Sequence, residues 1–148
     1  MNKNQEAAIK KFDEGLYCAE SVLATVAEAL GIESALIPDI ATGFCSGMAR
    51  TCGPCGALTG GVLGLNLAFG RSSAAQSVEN NYAAVQALVE QFRETFGSTN
   101  CAELLGCDLG TQEGQRIFGA ENLISRCREF TGKAAELTIR MIETKQQP

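Results

Sequence analysis

The sequence predicts an all-α protein, a compact bundle of six to seven helices forming a single domain over residues 1–148. Three observations carry that prediction. Apolar residues recur every three or four positions through most of the chain, glycines stand where these runs stop, and no segment alternates apolar and polar residues with turn chemistry at both ends. With 148 residues, 45% hydrophobic and 20% charged, the chain can build one core without help from disulfides or a metal.

The elements follow in order. A polar first helix ends at Phe12, just before Gly15. Val22, Leu23, Val26 and Leu30 form a second apolar stripe that stops at Gly31. The residues between Thr42 and Gly56, rich in glycine and cysteine, read as a loop. From Cys55 to Phe69 the chain carries no charge, and Gly56, Gly60 and Gly64 fall on one stripe of a helix that another backbone can approach closely. Each glycine costs about 1 kcal/mol of helix propensity relative to alanine. Tight packing against a neighbouring helix, or room for a bound group, must offset that cost. Val78, Tyr82, Val85, Leu88, Val89, Phe92 and Phe96 define one long amphipathic helix ending at Gly97. Leu123, Ile124, Cys127, Phe130, Leu137 and Met141 carry the last helix toward the C-terminus, with a break expected at Gly132.

Composition removes several functions. A formal charge of -5, with Lys and Arg scattered in ones and twos, offers no basic face for phosphate contacts, so no nucleic-acid partner is expected. The N-terminal residues lack an apolar signal region, and the run from Cys55 to Phe69 is too short and too rich in glycine to span a bilayer. No membrane association and a cytoplasmic location are therefore expected. The absence of histidine removes Ser/His and Cys/His catalytic pairs, Cys2His2 zinc and histidine-ligated haem together. Gly56 to Gly64 lacks the Gly-Lys-Ser/Thr ending of a phosphate loop and has no preceding strand, so no nucleotide is expected either. What remains is the set of seven cysteines, which in a reducing compartment point to metal binding, redox turnover or burial.

Cys18-Ala-Glu, Cys55-Gly-Ala and Cys101-Ala-Glu each put a cysteine where a helix begins, after Tyr17, Pro54 and Asn100. Unpaired amides and the positive end of the helix dipole stabilise a thiolate there and are expected to lower its pKa. Cys52-Gly53-Pro54-Cys55 has the spacing of a thioredoxin-type dithiol, Cys52 and Cys55 being the catalytic pair, but Gly43 to Thr51 do not read as the strand that fold requires. Alternatively, Cys45, Cys52 and Cys55, with Cys18, Cys101 and Cys127 brought in by helix packing, supply three or four thiolates for zinc or an iron–sulfur cluster. A buried cysteine also serves as a small apolar residue. That reading suits Cys127, on the core stripe of its helix, and after it Cys107 and Cys45. Arg50, between two cysteines, either lowers a thiolate pKa or holds an anionic group, unless it is simply solvated. Glu20 and Glu103 sit in first turns, where they complement the dipole.

With Cys18, Cys55-Gly-Ala-Leu-Thr-Gly60, Cys101 and Cys127 in place, the chain resembles the bacterial and archaeal family of redox-active proteins named for its cysteine pattern, C_GCAxxG_C_C. The segments Gly15-Leu-Tyr-Cys18-Ala, Gly43-Phe-Cys-Ser-Gly-Met-Ala-Arg50 and Phe96-Gly-Ser-Thr-Asn-Cys101-Ala-Glu-Leu-Leu-Gly106 fit as well. The resemblance implies an all-helical fold and a redox role, because four cysteines define the family rather than a known reaction. A similar helical domain in split-Soret-type cytochromes is associated with an iron–sulfur centre. By that resemblance, Cys18, Cys55, Cys101 and Cys127 are the expected ligands, with Cys52 or Cys45 able to substitute, and Gly56 and Gly60 let backbone approach the site. No c-type haem follows, since the chain has no histidine. Cys45, Cys52 and Cys107 are additions to the pattern, and the greater separation favours Cys127 over Cys107 as its fourth member.

Three readings stand at this point. One is electron transfer or redox sensing by an iron–sulfur cluster with an unidentified redox partner. The second is metal-free thiol–disulfide exchange at Cys52 and Cys55, with Cys18 or Cys101 as relay. The third is a helical interaction module, such as a homodimer, whose cysteines are core residues only.

Overall fold

Asn2 opens the first helix, α1 (Lys3–Asp13): its side chain accepts from the amides of Asn4 and Gln5, and its own amide donates to the Gln5 side chain. The chain turns at Gly15 into α2 (Cys18–Ala29), where the Tyr17 amide donates to Glu20. A 3-10 turn (Asp39–Phe44) and α3 (Cys45–Arg50) lead to α4 (Gly56–Phe69) and the long α5 (Glu79–Phe96). Two short helices, α6 (Cys101–Leu105) and α7 (Gln112–Ala120), precede α8 (Ile124–Gln146). The computed structural model describes residues 1–146, and among these there is no strand, only an isolated bridge between Pro54 and Asn100. The fold is all-α as expected, with eight α-helices among the described residues where six to seven helices were expected. The helix start at Cys101 was expected; the two helices that were not are α3, 6 residues within the segment read as a loop, and α7, 9 residues whose only large apolar side chains are Ile117 and Phe118, too few for a period to show. No helix among the described residues is long and apolar enough to cross a membrane.

The uncharged α4 forms the centre and packs against α2, α5 and α8, while α1 lies across α2 and α8. Its glycine stripe explains how. A Cβ on Gly60 would stand 2.7 Å from the Ala19 carbonyl oxygen, and one on Gly64 would stand 2.9 Å from Val26 Cγ1. Gly60 and Gly64 therefore serve the approach of α2, not a bound group. The break expected at Gly132 is absent, because that glycine instead admits Ile9 of α1, whose Cδ1 lies 2.8 Å from where a Cβ would be. Phe92, Phe96 and Phe130 close the core beside α8 with edge-to-face contacts at 4.9 and 4.8 Å.

Two buried hydroxyls in this core, those of Ser21 and Thr138, lack a hydrogen-bond partner among the described residues. Thr138 is fully buried opposite Gly61. Burying an unsatisfied hydroxyl costs about 1 kcal/mol or more. Thr138→Val is therefore expected to stabilise the protein by about 1 kcal/mol, read as a higher denaturation midpoint.

Candidate functional site

The three cysteines expected at helix starts are found there. Cys18 is the first residue of α2, Cys55 caps α4, and Cys101 opens α6 after Asn100, whose side chain accepts from the Glu103 amide. The second and third are laced together: the Cys55 amide donates to the Thr99 carbonyl at 2.8 Å and the Cys101 amide to the Gly53 carbonyl at 3.0 Å. The Asn100 side chain adds a bond to the Cys52 carbonyl at 2.7 Å. Cys127 enters from the first turn of α8. All four line one cavity of about 130 Å³, walled mainly by Phe12, Leu104, Leu105, Leu109, Phe118, Ile124 and Phe130. Gly56 and Gly47 make the convergence feasible, because a Cβ at Gly56 would lie 2.4 Å from Cys18 Sγ and one at Gly47 would lie 2.5 Å from Cys101 Cβ.

One wall of the cavity has an unusual backbone. Within α3, Ser46, Gly47, Met48 and Ala49 have φ of 59, 66, 60 and 55°, and Arg50 follows at 68°, so this turn winds left-handed. L-residues pay about 1–2 kcal/mol each for that conformation. The Gly47 carbonyl holds the turn by accepting from the amides of Thr51 and Gly53, and the Thr51 hydroxyl donates to the Met48 carbonyl. The turn sets Ser46, Gly47 and Arg50 on the cavity. The segment expected to be a loop is thus an ordered, strained wall, and such strain concentrates at functional sites. Ala49 is exposed, so Ala49→Gly relieves strain without removing a contact, and an increase of about 1 kcal/mol in unfolding free energy is expected.

At Cys55 and Cys101 the electrostatics reverse the expectation of a lowered thiol pKa. Burial pushes the Cys55 thiol up to about 12, reinforced by neighbouring Cys101 and Cys127, even though the Ala57 and Leu58 amides favour its thiolate. Burial likewise raises Cys101 to about 11 and Cys127 to about 12. A helix dipole contributes about 0.3–1 kcal/mol at an exposed terminus, which desolvation of a charged sulfur exceeds. These three thiols are protonated at neutral pH. Forming their thiolates at neutral pH costs free energy that a compensating positive charge must offset.

Of the remaining candidates, Cys45, Cys52, Cys107 and Gly60 do not line the cavity. Cys52 is exposed, and a hydrogen bond to Asp108 raises its pKa, which weakens it as a nucleophile. Cys45 and Cys107 are buried but do not line the cavity, whereas Cys127 does. Arg50 reaches the cavity, Gly56 borders it, and Gly60 faces α2. Sequence reasoning missed Gly47, for which its place between Cys45 and Cys52 was a signal, and Tyr17 and Gln115, which had none. Among the described residues, no three Cys, Asp or Glu side chains gather around a single-ion position.

Comparisons with curated proteins and with solved structures each returned no match. A family model matches residues 16–141, a span that includes all four cavity cysteines, and the chain accordingly belongs to the family described as "Putative redox-active protein (C_GCAxxG_C_C)".

Proposed function

We propose that this redox protein holds an iron–sulfur cluster on Cys18, Cys55, Cys101 and Cys127 and uses it for electron transfer or redox sensing. The observation that supports this is the meeting of four cysteines from four separate helices in one half-open, mostly apolar cavity. The donor chemistry fits, since four thiols without imidazole are the usual ligand set of such clusters. When bound, the cluster supplies reversible one-electron chemistry. The chain's own residues do the rest. Ala57 and Leu58 direct amides at the Cys55 sulfur, the apolar walls exclude water, and Arg50 places a positive charge at the cavity.

The test is anaerobic reconstitution with iron and sulfide, read by visible spectrum and iron analysis. Serine at position 18, 55, 101 or 127 is expected to lower retained iron by about ten-fold or more, while Cys52→Ser and Cys107→Ser retain it. A colourless, iron-free product from the unmodified chain would sink the proposal. The dithiol reading makes the opposite demand, that Cys52→Ser abolish the redox titration of the metal-free protein. The raised pKa values of Cys52 and Cys55 argue against that result.

A further inference from the structure

We propose that Cys18 and Cys45 form a reversible disulfide that draws the Cys18 sulfur away from the cavity, so that an oxidant closes the site to its cluster; the closing step rests on the cluster reading above. Cys45 is 4% exposed, does not line the cavity and stands outside the four-cysteine pattern, so neither ligation nor surface chemistry uses it. Its neighbour is Cys18. The point where a Gly56 Cβ would sit is 2.4 Å from Cys18 Sγ and 3.1 Å from Cys45 Cα, so the two cysteines meet across a missing side chain. The Cys18 thiol is near enough to be the main influence raising the Cys45 pKa, while the Cys45 thiol itself donates to the Glu20 carboxylate at 3.7 Å and to the Ala41 carbonyl at 3.8 Å. Of the two, only Cys18 opens onto the cavity. That division assigns Cys18 to meet an incoming oxidant and Cys45 to resolve the product.

Hydrogen peroxide is small enough to enter. The Cys18 sulfur attacks one peroxide oxygen, the O–O bond breaks, and the thiol proton leaves with the departing hydroxide as water. The Cys45 sulfur then attacks the resulting sulfenic sulfur. The S–O bond breaks, the S–S bond forms, and the Cys45 proton leaves with the hydroxyl as a second water. The two thiols give up two electrons, and the peroxide oxygens take them. A small dithiol reverses the change by exchange.

The pairing is read without metal. The reduced, metal-free chain is treated with peroxide, alkylated and mapped by mass spectrometry under non-reducing conditions. A linked Cys18–Cys45 peptide is expected in the unmodified chain and in Cys52→Ser, and is expected to be absent in Cys45→Ala. Cys18 left unlinked, or linked to another cysteine, would overturn the proposal. In a second arm, oxidised and reduced samples are reconstituted with iron and sulfide. Loss of most of the iron after oxidation, its recovery with dithiothreitol, and retained loading in peroxide-treated Cys45→Ala are expected. Equal loading of the oxidised and reduced samples overturns the switch, as does an equal loss in Cys45→Ala. A reduced sample that takes up no iron sinks the cluster reading, and the peptide map alone then decides the pairing.

Discussion

Gly60→Ala is expected to destabilise the protein by about 2 kcal/mol, although alanine is the better helix former by about 1 kcal/mol. The added methyl would stand 2.7 Å from the Ala19 carbonyl oxygen and 2.9 Å from Ala19 Cα. Both atoms are backbone of a helix packed on α1, α4 and α8, so no side chain can swing aside to relieve the clash. The helix axes must separate instead, and Val22 and Val26, both fully buried, lose contacts with α4. Gly119→Ala in α7 supplies the control, because nothing lies within 4 Å of that site. There only the propensity term acts, and a gain of about 0.5–1 kcal/mol is expected. Urea midpoints at constant slope measure both. A Gly60→Ala protein as stable as the parent would mean that α2 and α4 are less tightly packed than described.

Alkaline pH is expected to unfold the reduced, metal-free protein well before its backbone chemistry fails. In the unfolded chain the thiols ionise near 9.0, whereas burial holds Cys101 at about 11 and Cys55 and Cys127 at about 12. Above pH 9 the unfolded state therefore binds fewer protons than the folded one, and unfolding becomes easier as pH rises. The stabilisation is complete below pH 9 and disappears as pH climbs through the folded values. Each thiol that follows this path contributes about 1.4 kcal/mol per pH unit. Urea titrations at about pH 8 and about pH 10 should show the loss, and Cys55→Ala should reduce it. A flat profile would mean that water reaches these sulfurs.

The sequence was most informative where structure is local. The stripe from Val78 to Phe96 repeats over a full-length helix, and Gly97 ends it in the left-handed conformation that glycine allows. The cysteines at helix starts were legible for the same reason: capping and dipole effects depend on immediate neighbours. Tertiary contacts were not legible. Gly132 looked like a break because its partner, Ile9, lies in another helix. The thiol pKa values were expected to move down because a helix start is visible in sequence, whereas the burial that moves them up is supplied by α6, α7 and α8. Separation along the chain already favoured Cys127 over Cys107, and of the two only Cys127 lines the cavity. The turn at Ser46 to Arg50 was beyond reach, because only Gly47 in it favours the conformation that all five residues adopt.

That turn bears on how the protein is made. Five residues wound against their own chirality will not hold as a free peptide, so the ribosome delivers them in some other shape. They can settle only after Gly53 and the Cys101 strand of chain have docked, since these supply the bonds and the surface that fix Gly47. This wall of the cavity thus forms late in folding, and until then that side of the four cysteines stays open to solvent.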